Sequence, residues 1–485
     1  MGARIDVLGD SVLYDPTSSS PGLRDSFYSA QQRDVVPACV ITPSSPDEVA
    51  QAIQVIRQHN CIFAVKSGGH AMFVGASNAP GGITLDLKKL NTIDVSEDLK
   101  TARVGTRNRW RNVYETLEPL NRTPVGGRNG AVGVGGFILG GGISFVSRRY
   151  GWALDNVRNF EAVLANGSLS NINQQSSPNL YWALRGGGNN FGIVTNFDLE
   201  IYQQGEVWGG QNFWLMNKDM LANRTARLNI SSPPIAFSMD YVKNSFFTGI
   251  TKLACRLGYC ITSEQAFRAF KNIVLAKQSD VYAQTWMTYT YVSQIDQFIF
   301  GAALVYSKPE VWPSIFTEFK TLKSVYSSTK IQNFTSVYEE VVSLNEIGYR
   351  QMTAAITFQM SGDLLDRILD VYLVEVQSVK NVKDIAIFRE NGGNCLGLED
   401  LDGPLMMFSL SFRWSKIEDD TKMNAVGIRI LDRAVAMTKE MDLYHRYIYQ
   451  NYANASQDVF GGYGERNRMR LKEIQTKYDP EGVFS

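Results

Sequence analysis

From Ala38 onward the apolar residues switch between two periodicities. CVITP reads as a short buried strand, and Ser44-Ser45-Pro46-Asp47-Glu48 spells a helix start, with Ser45 as cap, Pro46 at the first helical position and Glu48 completing a capping box. Val49, Ile53 and Ile56 keep helical spacing toward Asn60, after which CIFAVKSGG is a strand running into glycine. ITLDLKKLN and ARVGT continue as strands, Arg109 to Leu120 as a helix, and FEAVLANGSLSNI as a hairpin turned at Asn166-Gly167. The pattern predicts one α+β unit over residues 35–205, preceded by an N-terminal extension, 1–34.

Beyond Gln203 the glycines thin out. FSMDYVKNSFF, TKLACRLGYC, TWMTYTYVSQ, MTAAITFQM and PLMMFSLSFRW alternate or run apolar like strands of an antiparallel sheet. Helical stretches separate them near Ser263–Ala276 and Ser361–Ser378, so 206–440 reads as a second α+β domain, a sheet covered by helices. A last segment, 441–485, carries IYQNYANAS, a glycine turn at Gly461-Gly462 and a helix from Asn467 to Lys477 stopped by Asp479-Pro480.

Charge and composition narrow the function. The 48 Lys+Arg balance 48 Asp+Glu, so the cation excess that a phosphate backbone demands is missing and no nucleic-acid partner is expected. No apolar run reaches the ~18 residues of a membrane span. The start, MGARIDVLGDS, lacks the charged and apolar regions of a signal peptide. Six N-x-S/T sequons, at Asn121, Asn166, Asn223, Asn229, Asn333 and Asn454, lean toward a secretory route if a leader has been removed; otherwise the expectation is cytoplasmic. Cys39, Cys61, Cys255, Cys260 and Cys395 contain no C-x-x-C pair. They read as small buried hydrophobes or, for Cys39 and Cys61, as a bridge between a strand and the following one. Three histidines without zinc spacing leave no protein-built metal centre expected.

The candidate chemistry lies in the glycines. Between Gly126 and Gly142 nine of seventeen residues are glycine, in VGGRNGAVGVGGFILGGGIS, and each costs conformational entropy on folding. Such glycines either serve tight turns or let bare backbone meet a ligand, with successive N–H groups cradling a diphosphate. Two further clusters, Lys66-Ser67-Gly68-Gly69-His70 and Arg185-Gly186-Gly187-Gly188-Asn189-Asn190-Phe191-Gly192, favour the ligand. None spells G-x-x-x-x-G-K-[ST] or G-x-G-x-x-G, so a dinucleotide is held in another way.

KSGGH, VGVGGFILGGGIS, GWALDNV, LYWALRGGGNNFGIVTNF, YIYQNYA, YGERNRMRL and KYDPEGVF follow in an order and spacing that resemble the berberine-bridge-enzyme-like flavin oxidases, within the vanillyl-alcohol-oxidase superfamily. The resemblance runs from about Pro37 to Phe484. It implies FAD as cofactor, a two-part FAD-binding domain, a substrate domain, and a C-terminal segment that returns to the FAD-binding domain. It implies a covalent bond from His70 to the flavin 8α-methyl. Lys66, Ser67, Gly68 and Gly69, with Gly133, Gly135, Gly136, Gly140, Gly141 and Gly142, would surround diphosphate and flavin, and Gly192-Ile193-Val194 would face the adenine. Many relatives carry a second, cysteinyl bond where this sequence has Asn129; that bond is not expected here, which implies a more open site and weighs against large oligosaccharide substrates. Val132 falls where relatives control oxygen access. Asp155 reads as an anchor of its loop or as a turn cap.

In the Y-x-N-Y of Tyr449, Asn451 and Tyr452, the resemblance makes Tyr452 the base that takes a substrate proton, with Tyr449 in reserve. A tyrosine with pKa near 10 needs a neighbouring cation or the oxidised flavin to serve as base. Tyr463 and Asn467 would support this segment over the flavin. Tyr289, Tyr291, Phe358, Gln359 and Arg413 are the substrate-pocket candidates, subject to strand alternation. The implied function is oxidation of a small secondary metabolite of fungal type, with molecular oxygen as acceptor. A carbohydrate oxidase, a flavin-holding cyclase without net redox turnover and a binding protein that has lost catalysis are the alternatives.

Overall fold

The structure, a computed structural model, describes residues 12–13, 21–216, 253–276, 280–292, 297–379, 388–390, 396, 398 and 404–484. The first half is built on two sheets. In the smaller one, β1 (Cys39–Ile41) leads through α1 (Pro46–Gln58) to β2 (Phe63–Lys66), and β3 (Ile83–Asp86) lies between the two strands, parallel to both. The start of α1 is capped as its sequence demands: Ser45 Oγ accepts from Glu48 N, while the Glu48 carboxylate turns back to Ser44 N. The larger sheet is antiparallel and joins β4 (Ile93–Val95), β5 (Thr101–Gly105), β6 (Val157–Val163), β7 (Leu169–Ile172) and β8 (Ile193–Gln203), with β8 at its centre. Between β5 and β6 the chain forms α2 (Trp110–Leu117) and the short glycine-rich α3 (Val134–Leu139).

The second half has two antiparallel sheets. One contains β9 (Val207–Met216), β10 (Ala283–Val292) and β11 (Gln297–Tyr306); the other pairs β12 (Arg350–Gln359) with β13 (Leu405–Trp414). Helices α4 (Ser263–Val274), α5 (Gly362–Val376) and α6 (Asp420–Glu440) supply Phe267, Leu369 and Ile430 to one continuous core against both sheets. The opposite sheet faces turn toward the first half, whose core takes in Trp286, Val305 and Met407. The C-terminal helix α7 (Glu465–Tyr478) packs Leu471 and Ile474 into that same first-half core. The expected α+β class and helix-covered antiparallel sheets are present.

Three readings need correction or fall outside the description. The described part of TKLACRLGYC, from Leu253, is not a strand; residues 253–256 are helical and only Cys260–Ile261 pairs, with β9. The disulfide joins Cys255 to Cys260, whereas Cys39 and Cys61 are free. Strand order explains the second point, since β3 separates β1 from β2 and two strand spacings of about 4.8 Å exceed the ~7 Å Cα reach of a disulfide. FSMDYVKNSFF, Asn223, Asn229 and Cys395 lie outside the described residues.

Candidate active site

Where the two halves meet they enclose a cavity of about 410 Å³. One wall is main chain. The β2 exit loop and the loop before α3 touch backbone to backbone: a Cβ on Gly133 would fall 2.5 Å from the Gly68 Cα and 2.6 Å from its nitrogen, closer than any side chain tolerates. Gly136, on α3, faces open space within the cavity, with no heavy atom within 4 Å of where its Cβ would stand. The Gln450 Oε1 at the same cavity is buried without a partner among the described residues. A bare cradle and an orphaned acceptor are what a long, polar, flat group with a diphosphate would fill, so the residues present fit FAD.

His70 lines this wall, stacked face to face on Tyr28 with ring centroids 3.8 Å apart and planes 10° from parallel. Burial, helped by the nearby Arg109 charge, pushes its pKa down to about 3, leaving a neutral imidazole at physiological pH. Behind the loop Lys66 and Asp86, in register on β2 and β3, form a buried ion pair at 3.2 Å. Burial draws the Lys66 pKa down to about 8 against the opposing pull of Asp86.

The other wall is made of side chains. Tyr452 sits on the turn after Tyr449, and Arg128 Nη2 donates to its phenolic oxygen at 2.7 Å. Arg128 itself lies over the Trp286 ring, 5.1 Å from the centroid, a cation held in place from both ends. Tyr449 is fully buried, and burial raises its pKa well above the ordinary value, so it is the weaker candidate for a base. Asn451 Nδ2 donates to Phe137 O and to Tyr449 Oη, both at 3.0 Å, tying the C-terminal segment to α3.

Comparisons with known proteins agree with an FAD-holding cavity. Residues 37–173 match the FAD binding domain family. FAD-dependent monooxygenase tpcD of Cochliobolus heterostrophus is 37% identical over 99% of this chain and 89% of its own length. FAD-dependent monooxygenase FUP4 of Fusarium proliferatum is 33% identical over 94% and 85%. The chain belongs to the family of FAD-linked oxidoreductases that includes these two fungal enzymes. Its fold is also that of 6-hydroxy-D-nicotine oxidase from Arthrobacter nicotinovorans (TM-score 0.76, 18% identity, covering 98% of this chain and 96% of the other). A variant of berberine bridge enzyme superposes with TM-score 0.73 at 15% identity over 99% and 97% of the two chains. It is an FAD enzyme of a family whose named fungal members include the monooxygenases above.

Against that family pattern, Ser67, Gly68, Gly69, His70, Asn129, Val132, Gly133, Gly135, Gly136 and Gly140 all line the cavity, with Gly192, Ile193, Val194, Tyr449, Asn451 and Tyr452. Asn129 is occupied by its own turn, its Oδ1 accepting from Ala131 N at 2.8 Å. The remaining cofactor candidates support the wall from outside. Lys66 is paired with Asp86 behind the loop, and Gly141 and Gly142 turn the chain with carbonyls that accept from Leu154 and Ala153. Asp155 accepts from Trp152 N as a turn cap does, and pairs with Arg185 at 2.7 Å. Tyr463 donates to Gly186 O at 2.9 Å, and Asn467 holds the Tyr463 carbonyl.

The five substrate-pocket candidates lie outside the cavity lining, for two reasons. Tyr289, Tyr291 and Phe358 are on the wrong face of their strands and point into the core beneath the helices. Gln359 and Arg413 have the right parity but stand too near the strand ends: Gln359 closes β12 in solvent, and Arg413 lies over Tyr349 near Glu346. The cavity is lined instead by Trp286 on β10, by Thr353 on β12 and by Ser409 and Ser411 on β13, with Thr353 and Ser411 directly paired. On these strands most large apolar positions belong to the core, and the small polar ones face the site. Tyr28, assigned to an extension, and Arg128, read only as part of a glycine loop, were missed as site residues. For Arg128 a signal existed: a lone cation inside a run of glycines.

Proposed function

We propose that this protein oxidises a small secondary metabolite at a carbon bearing a hydroxyl or amine, with dioxygen as acceptor and hydrogen peroxide as by-product. The observation that carries the reading is the 2.7 Å hydrogen bond from Arg128 to Tyr452 inside the FAD cavity. The guanidinium sets a fixed positive charge and a donor against the oxygen that would take a substrate proton. FAD, when bound, supplies the two-electron acceptor and the reactivity toward dioxygen. Tyr452 Oη would receive the substrate proton, Arg128 would hold that oxygen in place, and Thr353, Ser409 and Ser411 would orient polar groups of the substrate. Ser67 and the cradle glycines would hold the diphosphate, and His70 would carry a covalent bond to the 8α-methyl.

Measuring hydrogen peroxide against substrate consumed tests this reading. One peroxide per substrate, with no isotopic label from dioxygen in the product, is expected. Label in the product without peroxide would replace it with oxygen insertion, the second reading, which the monooxygenase names of tpcD and FUP4 favour. A secretory route is part of the same proposal, supported by the Cys255–Cys260 disulfide and by the exposed sequon residues Asn121, Asn166 and Asn333.

A further inference from the structure

The segment 21–34 is a strap across both halves. On the cofactor side Tyr28 N donates to Gly69 O at 2.8 Å, Ser29 Oγ to Ala71 O at 3.1 Å, and Gln32 Nε2 to Phe73 O. On the sheet side Ala30 N donates to Tyr349 O at 2.8 Å, and Gln31 exchanges two hydrogen bonds with the Gln351 backbone. Arg350 then ties Asp34 to Asp420, the first of these at 2.6 Å. Of the strap's two buried aromatic rings, Phe27 and Tyr28, it is Tyr28 that lies flat against His70.

We propose that Tyr28 is a positioning residue for covalent flavin attachment at His70. The inference rests on the proposed His70 bond. An imidazole nitrogen attacks with a lone pair lying in the ring plane, so whatever fixes that plane fixes the direction of attack. His70 stands in an irregular loop directly after Gly69, whose φ is +70°, and its backbone does little to orient the ring. A parallel ring at 3.8 Å does. Attachment forms one N–C bond, breaks the imidazole N–H and one methyl C–H, and passes two electrons and two protons to dioxygen as hydrogen peroxide. Pre-orientation of this kind is expressed in rate, and losing the stacked ring is expected to slow attachment about tenfold.

The experiment adds FAD to apoprotein of the parent, Tyr28→Phe and Tyr28→Leu, and follows flavin fluorescence that stays with the polypeptide on a denaturing gel. Total FAD bound before denaturation and the thermal midpoint are measured alongside. The expected result is that Tyr28→Phe attaches at the parent rate, whereas Tyr28→Leu binds equal FAD and attaches about tenfold more slowly. Attachment by Tyr28→Leu at the parent rate overturns the proposal, as does an equal loss in Tyr28→Phe. Equal falls in bound FAD and thermal midpoint that account for the lost attachment would make Tyr28 a folding residue and overturn it too. A parent protein that releases all its flavin would overturn the His70 bond itself, a result distinct from any difference between the two variants.

Discussion

On the cofactor side of the cavity the contact surface is main chain: Gly68 and Gly133 meet backbone to backbone, and Gly136 faces open space. On the substrate side it is side chains, with Trp286, Thr353, Ser409 and Ser411 projecting from strands whose alternate residues are hydrophobic core. The first wall cannot accept even a methyl group at its closest point, so its shape is bound to glycine. The second can change at its small polar positions, Thr353, Ser409 and Ser411, whose strand backbone stays in place whatever side chain it carries. Cofactor binding and substrate choice are therefore expected to be separable in this protein. A sequence can hold the first while varying the second.

The sharpest test of that separation is Tyr452→Phe. It should slow flavin reduction by substrate about 10²–10⁴-fold with FAD content unchanged, as followed by anaerobic stopped-flow bleaching; unchanged reduction would remove Tyr452 as the base. Phe358→Ala should cost about 3–5 kcal/mol of stability, read from denaturant unfolding, and leave the ranking of substrates alone. A changed ranking would place Phe358 in the site after all. Gly133→Ala should cost about 1–3 kcal/mol by overpacking and keep FAD from binding and becoming attached, seen as colourless protein after gel filtration. Retained FAD at full stability would show that the glycine contact is dispensable.

A pH series sharpens the cofactor side further. The folded His70 pKa of about 3 lies below the ordinary 6.5, so between those values the unfolded chain binds more protons. The His70 contribution to stability accordingly rises with pH across that window and is lost as pH falls through it. Covalent attachment should run at a constant rate from about pH 5.5 to 8, because His70 stays neutral throughout. A fall in rate centred near 6.5 in a gel-fluorescence assay would contradict the neutral imidazole. The smallest effect is Gln359→Ala, at a strand end in solvent, where stability should move by less than about 0.5 kcal/mol and substrate turnover not at all.

Helix α1 was legible down to its Ser45 cap, and so were the hairpin at Asn166-Gly167 and the glycine runs. Capping and left-handed turns depend on residues within a few positions of one another, and a glycine declares its reason in its own identity. The family motifs likewise located Ser67 to His70, Gly133 to Gly140 and Tyr449 to Tyr452 along the chain. What they could not contain was which neighbour each would meet. Arg128 and Tyr452 are 324 positions apart, and Tyr28 reaches His70 from a segment with no motif. On β10, β12 and β13 the sequence carries two interleaved sets of residues, and nothing local says which faces helices and which faces FAD. Packing decided it: α4, α5 and α6 bury Tyr289, Tyr291 and Phe358 because burying large apolar surface stabilises most, and the small polar residues were left for the site.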